Sequence, residues 1–416
     1  MKKKLKTQGK SSTMKLSRSE KEIEEAGFLV DEIKFQAMMT EYRKIGGVVV
    51  NEKKPKIGQM LGRCEVLAEI GSGNSIIFLG KIGWRLYAIK WSNNPDVNLR
   101  AEYEVSESCW KSDRILKCLQ YTEESDFKYL LLELAGKDLN LISRRKNISI
   151  KTKFYFMFEV LKGIKQIHDA GFAHQDIKLQ NSTFNLKDQK KVNLIDFGIV
   201  SKLDRNGICI DGQVGSYPFS ARAALEEKLR GKEVDLESWV YSLLFAIKET
   251  LPWQPFVMKF QQHIECKKAF WGKKKDWKFL KNMPKQIVEI MDIIDGIKPG
   301  GPIDYNAINK LLKEVITGKY ELIDGKFAHA PGPETLDMDY RYFQTRGERI
   351  GIKGRGDTFH MADNYVIYDG VAKWPFKCSK CHERALHVYT DVFENAAAGH
   401  IVPLVEDKNT NHLCKI

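Results

Sequence analysis

The stretch that decides the fold reads His174-Gln175-Asp176-Ile177-Lys178-Leu179-Gln180-Asn181, followed on the next strand-like run by Asp196-Phe197-Gly198. Asp176 can accept a proton from a hydroxyl, and Lys178, Asn181 and Asp196 follow at fixed distances along the chain. In phosphoryl transfer one carboxylate orients the attacking hydroxyl, while an asparagine and a second carboxylate hold magnesium against the phosphates. The spacing therefore predicts Asp176 as the base and Asn181 and Asp196 as oxygen ligands of Mg²⁺.

An alternative interpretation is that Asp176, Asn181 and Asp196 are turn residues, since Asp and Asn are common beside strands. Each residue alone fits that interpretation. Their combined spacing, with an apolar helical pattern before them and the run 192–195 leading into Asp196, favours a phosphoryl-transfer site.

Length and charge set the broad class. The chain has 416 residues, 43% hydrophobic and 29% charged, with a formal net charge of +13. The basic run Met1–Lys6 has no apolar core after it, so we expect neither a signal peptide nor a membrane span. We therefore expect a cytoplasmic or nuclear protein. We also expect a monomer. A basic surplus fits acidic substrates, nucleic acid or solubility alone.

A glycine-containing hairpin and a buried lysine are predicted next. Strand-like runs at 64–68, 76–80 and 84–90 flank Gly71 and Gly73, and glycines let backbone amides approach phosphates closely. The last run places Lys90 among apolar residues, where a lysine needs a charge partner.

That partner is expected on the following helix, which offers Glu102 and Glu104. Leu99, Glu102 and Val105 share one face at helical spacing, and Glu104 points away from it. We therefore select Glu102. Further on, 127–134 reads as a buried strand and 151–170 as a long amphipathic helix that Gly171 ends.

Four further motifs indicate a particular family of phosphoryl-transfer proteins. They are Asp235-Leu236-Glu237-Ser238, Leu251-Pro252-Trp253-Gln254, Lys281-Asn282-Met283-Pro284 and Pro302-Ile303-Asp304-Tyr305. In this order they resemble the casein kinase I group of protein kinases, closest to the tau-tubulin kinase branch with its many nematode relatives. The resemblance covers residues 61–318, about three-fifths of the chain.

The resemblance implies an α+β, two-lobed protein kinase fold with a β-rich N-lobe and a helical C-lobe, and Mg²⁺-dependent transfer from ATP to serine or threonine of a protein substrate. Lys178 would steady the transferred phosphoryl group as a second catalytic residue, and Asp235 would tie down the catalytic loop. The nucleotide would be bound by Gly71, Gly73, Ala88, Lys90, Glu102, Leu132, Glu133, Ala135, Asn181 and Asp196, with Leu132 as gatekeeper and Glu133 and Ala135 in the hinge.

The sequence departs from the family pattern at three places, and each changes what is expected of binding or control. The nucleotide loop has Ile76-Ile77 after Asn74-Ser75 in place of a third glycine and is one residue shorter, which predicts a weaker phosphate grip. Gln175 replaces the usual arginine, so control through a phosphorylated activation loop is not expected. Residues 215–220 lack the arginine that binds a primed phosphate, so a preference for pre-phosphorylated substrates is not carried over.

Two functional hypotheses follow. The first is an active serine/threonine kinase, because every residue for metal and base chemistry is present. The second is a pseudokinase scaffold that binds a protein partner without efficient transfer, motivated by the altered glycine loop and by Gln175.

The flanking segments complete the predicted organisation. Residues 1–16 are Lys- and Ser-rich and expected to be disordered, and 17–60 form an N-terminal helical extension. After the kinase domain we expect a linker at 319–345, which contains the Pro-Gly-Pro break at 331–333, and a small β-rich module at 346–416.

That module contains a candidate zinc site. Cys378 and Cys381 form a Cys-x-x-Cys pair that His412 and Cys414 could complete to four ligands, with His382, His387 and His400 as competitors. The pattern resembles, with tighter cysteine spacing, small zinc modules of the FLYWCH and WRKY type, several of which bind DNA, and this makes nucleic acid a second partner class. The alternative is that these are ordinary surface thiols and histidines.

Overall fold

The computed structural model describes residues 14–45, 54–143, 148–188, 190–272 and 278–323, together with the backbone of seven strands between 341 and 406. Contacts divide the described chain into two compact units. The first contains the residues up to Ala135 with Ile195–Val200, and the second contains Gly136–Leu194 and the residues from Ser201 onward.

The first unit is built on an eight-stranded sheet with the order β1-β7-β8-β6-β5-β4-β3, in which β2 also pairs with β6. Its elements are β1 Met14–Ser17, α1 Glu20–Ala26, β2 Phe28–Leu29, α2 Glu32–Ile45, β3 Met60–Leu61, β4 Cys64–Ser72, β5 Ile76–Ile82, β6 Arg85–Ser92, α3 Leu99–Ser108, β7 Cys118–Glu123 and β8 Lys128–Glu133. The three predicted strand runs are confirmed as β4, β5 and β6, and the fourth as β8.

The core of this unit forms where side chains of the central strands alternate into one face. Val66, Phe78, Tyr87 and Ile89 are buried there, and α1 adds Ile23 to the same cluster. A second cluster lies under α3 and contains Leu99, Tyr103 and Leu130.

The N-terminal region differs from its prediction in two ways. Met14–Ser17, whose first three residues lie in the segment expected to be disordered, form β1 on the edge of the sheet, antiparallel to β7. The extension is not one helix but two, separated by β2. Gly27 follows the last residue of α1, and glycine is required there because a Cβ would collide with Tyr87 Oη.

The second unit is mainly helical. Its elements are α4 Leu139–Ser143, α5 Ile150–Asp169, β9 Phe172–Ala173, β10 Ser182–Phe184, β11 Val192–Leu194, β12 Ser201–Lys202, α6 Arg222–Leu225, α7 Glu233–Lys248, α8 Phe260–Gly272, α9 Gln286–Asp295 and α10 Tyr305–Ile316, with 3₁₀ turns at Leu179–Asn181, Gln254–Phe256 and Lys278–Leu280. The predicted long helix is confirmed as α5, and it ends before Gly171, which takes a φ of 84°.

Helices α5 and α7 pack together and supply much of the core, with Phe154, Ile164, Trp239 and Leu244 fully or almost fully buried. The β-sheet unit and the helical unit confirm the two-lobed α+β fold expected from the sequence. None of the described helices combines the length and apolar character needed to cross a bilayer.

The C-terminal strands form a separate seven-stranded sheet. They are β13 Arg341–Thr345, β14 Arg349–Gly354, β15 Asp357–Met361, β16 Val366–Tyr368, β17 Val371–Cys378, β18 Arg384–Tyr389 and β19 Val405–Glu406. Strand β13 lies inside the segment predicted as a linker, and Leu322 forms a β-bridge with Pro284. Both ends of that segment therefore pair with neighbouring backbone.

Candidate active site

In the first unit, Lys90 lies between two carboxylates. Its Nζ is 2.5 Å from Glu102 Oε1 and 2.7 Å from Asp196 Oδ1. The Lys90 side chain is 11% exposed and that of Asp196 is 47% exposed. The partner predicted from helical spacing is present, since Glu102 faces inward and Glu104 pairs instead with Arg100 on the outer face of α3.

Lys90, Glu102 and Asp196 lie close enough for their charges to shift the pKa values of Lys90 and Glu102. Burial alone would lower the pKa of Lys90, but the Glu102 and Asp196 carboxylates hold it above its ordinary value. Burial raises the pKa of Glu102 in spite of the neighbouring ammonium. Lys90 is therefore a fixed cation, which is the charge that nucleotide phosphates require.

Asp196 begins the Asp-Phe-Gly motif in a left-handed backbone conformation, with a φ of 66°. Phe197 is buried, and its backbone hydrogen-bonds to Glu102. The motif is thus fixed to α3, and the half-exposed Asp196 carboxylate has oxygens of the kind that could bind Mg²⁺.

The glycine-containing hairpin joins β4 to β5. Ser72 pairs with Ile76, and Gly73 donates its N–H to the Ser75 carbonyl at 3.0 Å. A cavity of about 310 Å³ opens beside it, lined by Ser72, Gly73, Asn74, Ser75, Ile76, Trp91, Ser92, Asn93 and Asn94. Nothing lies within 4 Å of a Cβ placed on Gly73, so this glycine faces open space.

The predicted hinge residues lie at the end of β8. Leu132 pairs with Ala88 of β6, which is buried, and Ala135 ends the first unit. The Glu133 N–H donates to the Lys117 carbonyl at 2.9 Å. An adenine contact from Glu133 would therefore use its carbonyl oxygen.

In the second unit, Asp176 accepts hydrogen bonds on both carboxylate oxygens. Oδ2 accepts from Lys178 Nζ at 2.6 Å and from Asn181 Nδ2 at 3.1 Å, and Oδ1 accepts from the Ser216 backbone N–H at 2.8 Å. Burial would raise the pKa of Asp176, but the Lys178 charge and these hydrogen bonds lower it below its ordinary value. Asp176 is consequently ionised at neutral pH.

Asn181 also fits the magnesium role assigned to it. Its Nδ2 donates to the Asp176 carbonyl at 2.9 Å as well as to the carboxylate. The amide oxygen is then the atom that a cation would use, and an oxygen ligand suits Mg²⁺.

Asp235 holds the catalytic loop from α7. It is 0% exposed and accepts the backbone N–H groups of His174 and Gln175, each at 2.7 Å. Its Oδ2 also lies 2.8 Å from His168 Nε2, and Tyr305 Oη completes the chain at His168 Nδ1. The tie between Asp235 and the loop was predicted, whereas His168 and Tyr305 were not; the burial of His168 on the α5 stripe was the available signal.

Gln175 occupies the place of the missing arginine. It adopts a φ of 65°, is 5% exposed and donates through Nε2 to the Asp211 carbonyl at 3.1 Å. The loop is therefore joined to the following segment by a neutral hydrogen bond that requires no phosphate.

Segment 215–220 contacts Asp176 through the Ser216 N–H. A Cβ on Gly215 would collide with the Gln175 carbonyl oxygen and lie 2.8 Å from Asp176 Oδ1, so only glycine fits there. Ser216 Oγ accepts from Lys178 Nζ at 2.7 Å. Buried Lys267 of α8 donates to the Tyr217 and Ser220 carbonyls at 3.1 and 2.5 Å. This support from α8 was not predicted from the residue pattern.

The candidate zinc ligands fall largely beyond the described chain. Cys381, His412 and Cys414 lie outside the described residues, and Cys378 is known only as the last backbone position of β17. Among the described side chains, no three His, Cys, Asp or Glu residues cluster as metal ligands would.

With this geometry in place, comparison with known proteins identifies the class. The family model described as protein kinase domain matches residues 65–300, more than half of the chain. The chain therefore belongs to the protein kinase family.

Several named kinases are similar to it. The serine/threonine-protein kinase spe-6 of Caenorhabditis elegans is 26% identical over 203 residues, covering 46% of this chain and 54% of the relative. The serine/threonine-protein kinase polo of Drosophila melanogaster is 30% identical over 164 residues, covering 39% and 28%. The serine/threonine-protein kinase MPS1 of Saccharomyces cerevisiae is 26% identical over 186 residues, covering 43% and 23%. The chain thus spans about half or less of the length of these relatives.

Proposed function

We propose that this protein is a serine/threonine protein kinase that transfers the γ-phosphoryl group of ATP to protein hydroxyls with Mg²⁺. The observation that carries the proposal is the ionised Asp176 carboxylate, fixed on both oxygens beside the Lys178 ammonium. A positioned carboxylate of this kind accepts the hydroxyl proton as the new O–P bond forms and ADP departs.

Each remaining residue has a role in this proposal. Lys90, held by Glu102, binds the nucleotide phosphates under a hairpin that contains Gly71 and Gly73. Lys178 neutralises charge on the transferred group. Adenine lies against Ala88 and Leu132 and meets the backbone of Glu133 and Ala135. Asn181 and Asp196 hold the Mg²⁺, which supplies the neutralisation of phosphate charge when it is bound.

The test compares Asp176→Asn with the intact chain in a phosphoryl-transfer assay on a serine- and threonine-rich protein. We expect a loss of about 10²–10⁴-fold, because the general base is removed while the side-chain size is kept. The control is Asp188→Asn, the same chemical change at a loop carboxylate that pairs with Lys191. Transfer that survives Asp176→Asn would overturn the proposal.

The alternative pseudokinase scaffold rests on the altered glycine loop and on Gln175. Two ion pairs argue against a scaffold without activity. Lys90 is paired with Glu102, and Lys178 is paired with Asp176, so the charged groups needed for transfer are held in place. A scaffold would show no thermal shift with ATP and Mg²⁺ and would keep its protein partner in the Lys90→Met variant.

We further propose that the kinase belongs to the casein kinase I group, near the tau-tubulin kinase branch. The four motifs at 235–238, 251–254, 281–284 and 302–305, in this order, support the proposal. A monomer acting on protein substrates in the cytoplasm or nucleus is part of the same proposal. A fractionation that finds the native protein only outside both compartments would contradict it.

For the C-terminal module we propose a zinc site formed by Cys378, Cys381, His412 and Cys414, with nucleic acid as a candidate partner. The Cys-x-x-Cys spacing supports it. Elemental analysis of protein purified without chelator is expected to find one zinc per chain, lost in Cys378→Ser and kept in Cys209→Ser. Absence of zinc from the intact chain would rule the site out.

A further inference from the structure

Helix α3, which carries Glu102, is too short to hold its own position. It has ten residues, and helices of this length are marginal in water without tertiary packing. Its inward face carries Leu99, Glu102 and Val105, all buried. Whatever fixes the two ends of α3 therefore fixes Glu102 beside Lys90.

The first turn of α3 is contacted by the N-terminal strand. Strand β1 pairs with β7 from Met14 opposite Glu123 to Ser17 opposite Gln120. Its alternation turns Met14 and Leu16 inward, where they pack against the cluster that contains Leu99 and Tyr103 of α3.

The last turn of α3 is held by the residue that follows β1. Arg18 donates its backbone N–H to the Leu119 carbonyl at 3.0 Å, which continues the strand pairing. Its Nη2 is 2.5 Å from Glu107 Oε1, and its Cζ lies 3.8 Å from the centroid of the Trp110 ring. The Arg18 side chain is 22% exposed, so the ion pair is partly shielded from solvent.

We propose that segment 14–18 is a built-in clamp that holds α3 in the orientation in which Glu102 pairs with Lys90, with Arg18 as the positioning residue. Five consecutive residues contact both ends of one helix, and the catalytic ion pair lies between those ends. The kinase thus assembles this pair from its own N-terminal segment. The catalytic consequence rests on the proposed function; the structural one does not.

The structural test is hydrogen exchange of the α3 amides, measured on the full chain by mass spectrometry. Arg18→Ala is expected to speed exchange across 99–108 by about tenfold while α5 and α7 keep their protection. The matched control is Arg63→Ala. Arg63 also forms an ion pair with the N-terminal segment, at Glu20, but on the side of the hairpin between β3 and β4. Equal α3 exchange in wild type, Arg18→Ala and Arg63→Ala would overturn the proposal.

The catalytic test measures ATP turnover in the same variants. Arg18→Ala should lower kcat/KM for ATP by about three- to tenfold, and Arg63→Ala should leave it unchanged. The exchanged pair Arg18→Glu with Glu107→Arg should recover most of the loss, a rescue that a general loss of stability would not give. If Arg18→Ala does not fold, Glu107→Gln repeats both measurements from the helix side. An inactive wild-type chain would reject the proposed function, and α3 exchange would still decide the clamp.

Discussion

The two units hold their charged residues by different means. In the first, Lys90, Glu102 and Asp196 hold one another, with one ammonium 2.5 and 2.7 Å from two carboxylates. In the second, the Asp176 carboxylate is held on a loop whose backbone N–H groups at 174 and 175 are bound by Asp235. Side-chain ion pairs organise the first site, whereas the second combines the Lys178–Asp176 ion pair with a loop that is fixed through its backbone N–H groups.

This difference determines how each site responds to change. Loss of a charge in the first unit leaves another buried charge without compensation, so the damage depends on pH. In the second unit the loop position depends on hydrogen bonds that the backbone N–H groups of His174 and Gln175, which do not titrate, donate to Asp235. Damage there should appear as lost stability or misplaced backbone at every pH.

The largest expected effect is at the centre of the hydrogen-bonded site. Asp235→Ala leaves the His174 and Gln175 N–H groups and the His168 ring without their acceptor in a fully buried place. We expect the free energy of unfolding in urea to fall by about 3–5 kcal/mol. A loss below about 1 kcal/mol would contradict the central role of Asp235.

A pair of lysine variants tests the contrast directly. Lys90→Met leaves Glu102 buried without its ammonium, so its pKa, already raised by burial, should rise further in the folded state. The folded protein then keeps a proton that the unfolded chain releases, so stability must fall as pH rises above about 4.5, by at most about 1.4 kcal/mol per pH unit. Urea unfolding at pH 5–8 measures this slope.

The matching variant in the second unit is Lys178→Met. Asp176 loses the Lys178 charge that lowers its pKa but keeps the hydrogen bonds from the Ser216 N–H and from Asn181 Nδ2. Its pKa should therefore rise less than that of Glu102, and the stability of this variant should fall less steeply between pH 5 and 8. Equal slopes for Lys90→Met and Lys178→Met would remove the distinction between the two sites.

The same contrast explains what the sequence could predict. Lys90 and Glu102 lie twelve positions apart on a regular strand and a regular helix, so period and burial select the partner. The loop spacing also gave Asp176, Asn181 and Asp196, since these motifs depend on local backbone geometry. The main strands and α5 followed from their hydrophobic periodicity.

Contacts across long separations were not predictable in this way. Ser216 is 40 positions from Asp176 and Tyr305 is 137 from His168, and only tertiary packing brings each pair together. Strand β1 was missed because four residues among many lysines do not reveal an alternation. Strand β13 was missed for a similar reason, because edge pairing depends on the neighbouring strand.

A smaller difference in stability is expected between alanine variants of two glycines, Gly215 in the second unit and Gly73 in the first. Gly215→Ala places a methyl group against the Gln175 carbonyl and the Asp176 carboxylate, whereas Gly73→Ala adds one in open space. We expect Gly215→Ala to destabilise the protein by about 1–3 kcal/mol and to reduce transfer, because the loop must shift. Gly73→Ala should change stability by less than about 0.5 kcal/mol. Thermal unfolding of both variants checks this, and similar losses would contradict the steric account.

The smallest loss of stability and activity is expected at Ser216, which contacts Lys178 through its side chain and Asp176 through its backbone. Ser216→Ala removes the Oγ that accepts from Lys178 but keeps the backbone N–H that donates to Asp176. Lys178 retains its ion pair with Asp176, so unfolding free energy should fall by only about 0.5–1.5 kcal/mol, the net value of one hydrogen bond. If backbone support dominates, transfer by Ser216→Ala should stay within about tenfold of the wild type, well above the Asp176→Asn level. A loss equal to that of Asp176→Asn would mean that the hydroxyl, rather than the backbone, positions the catalytic pair.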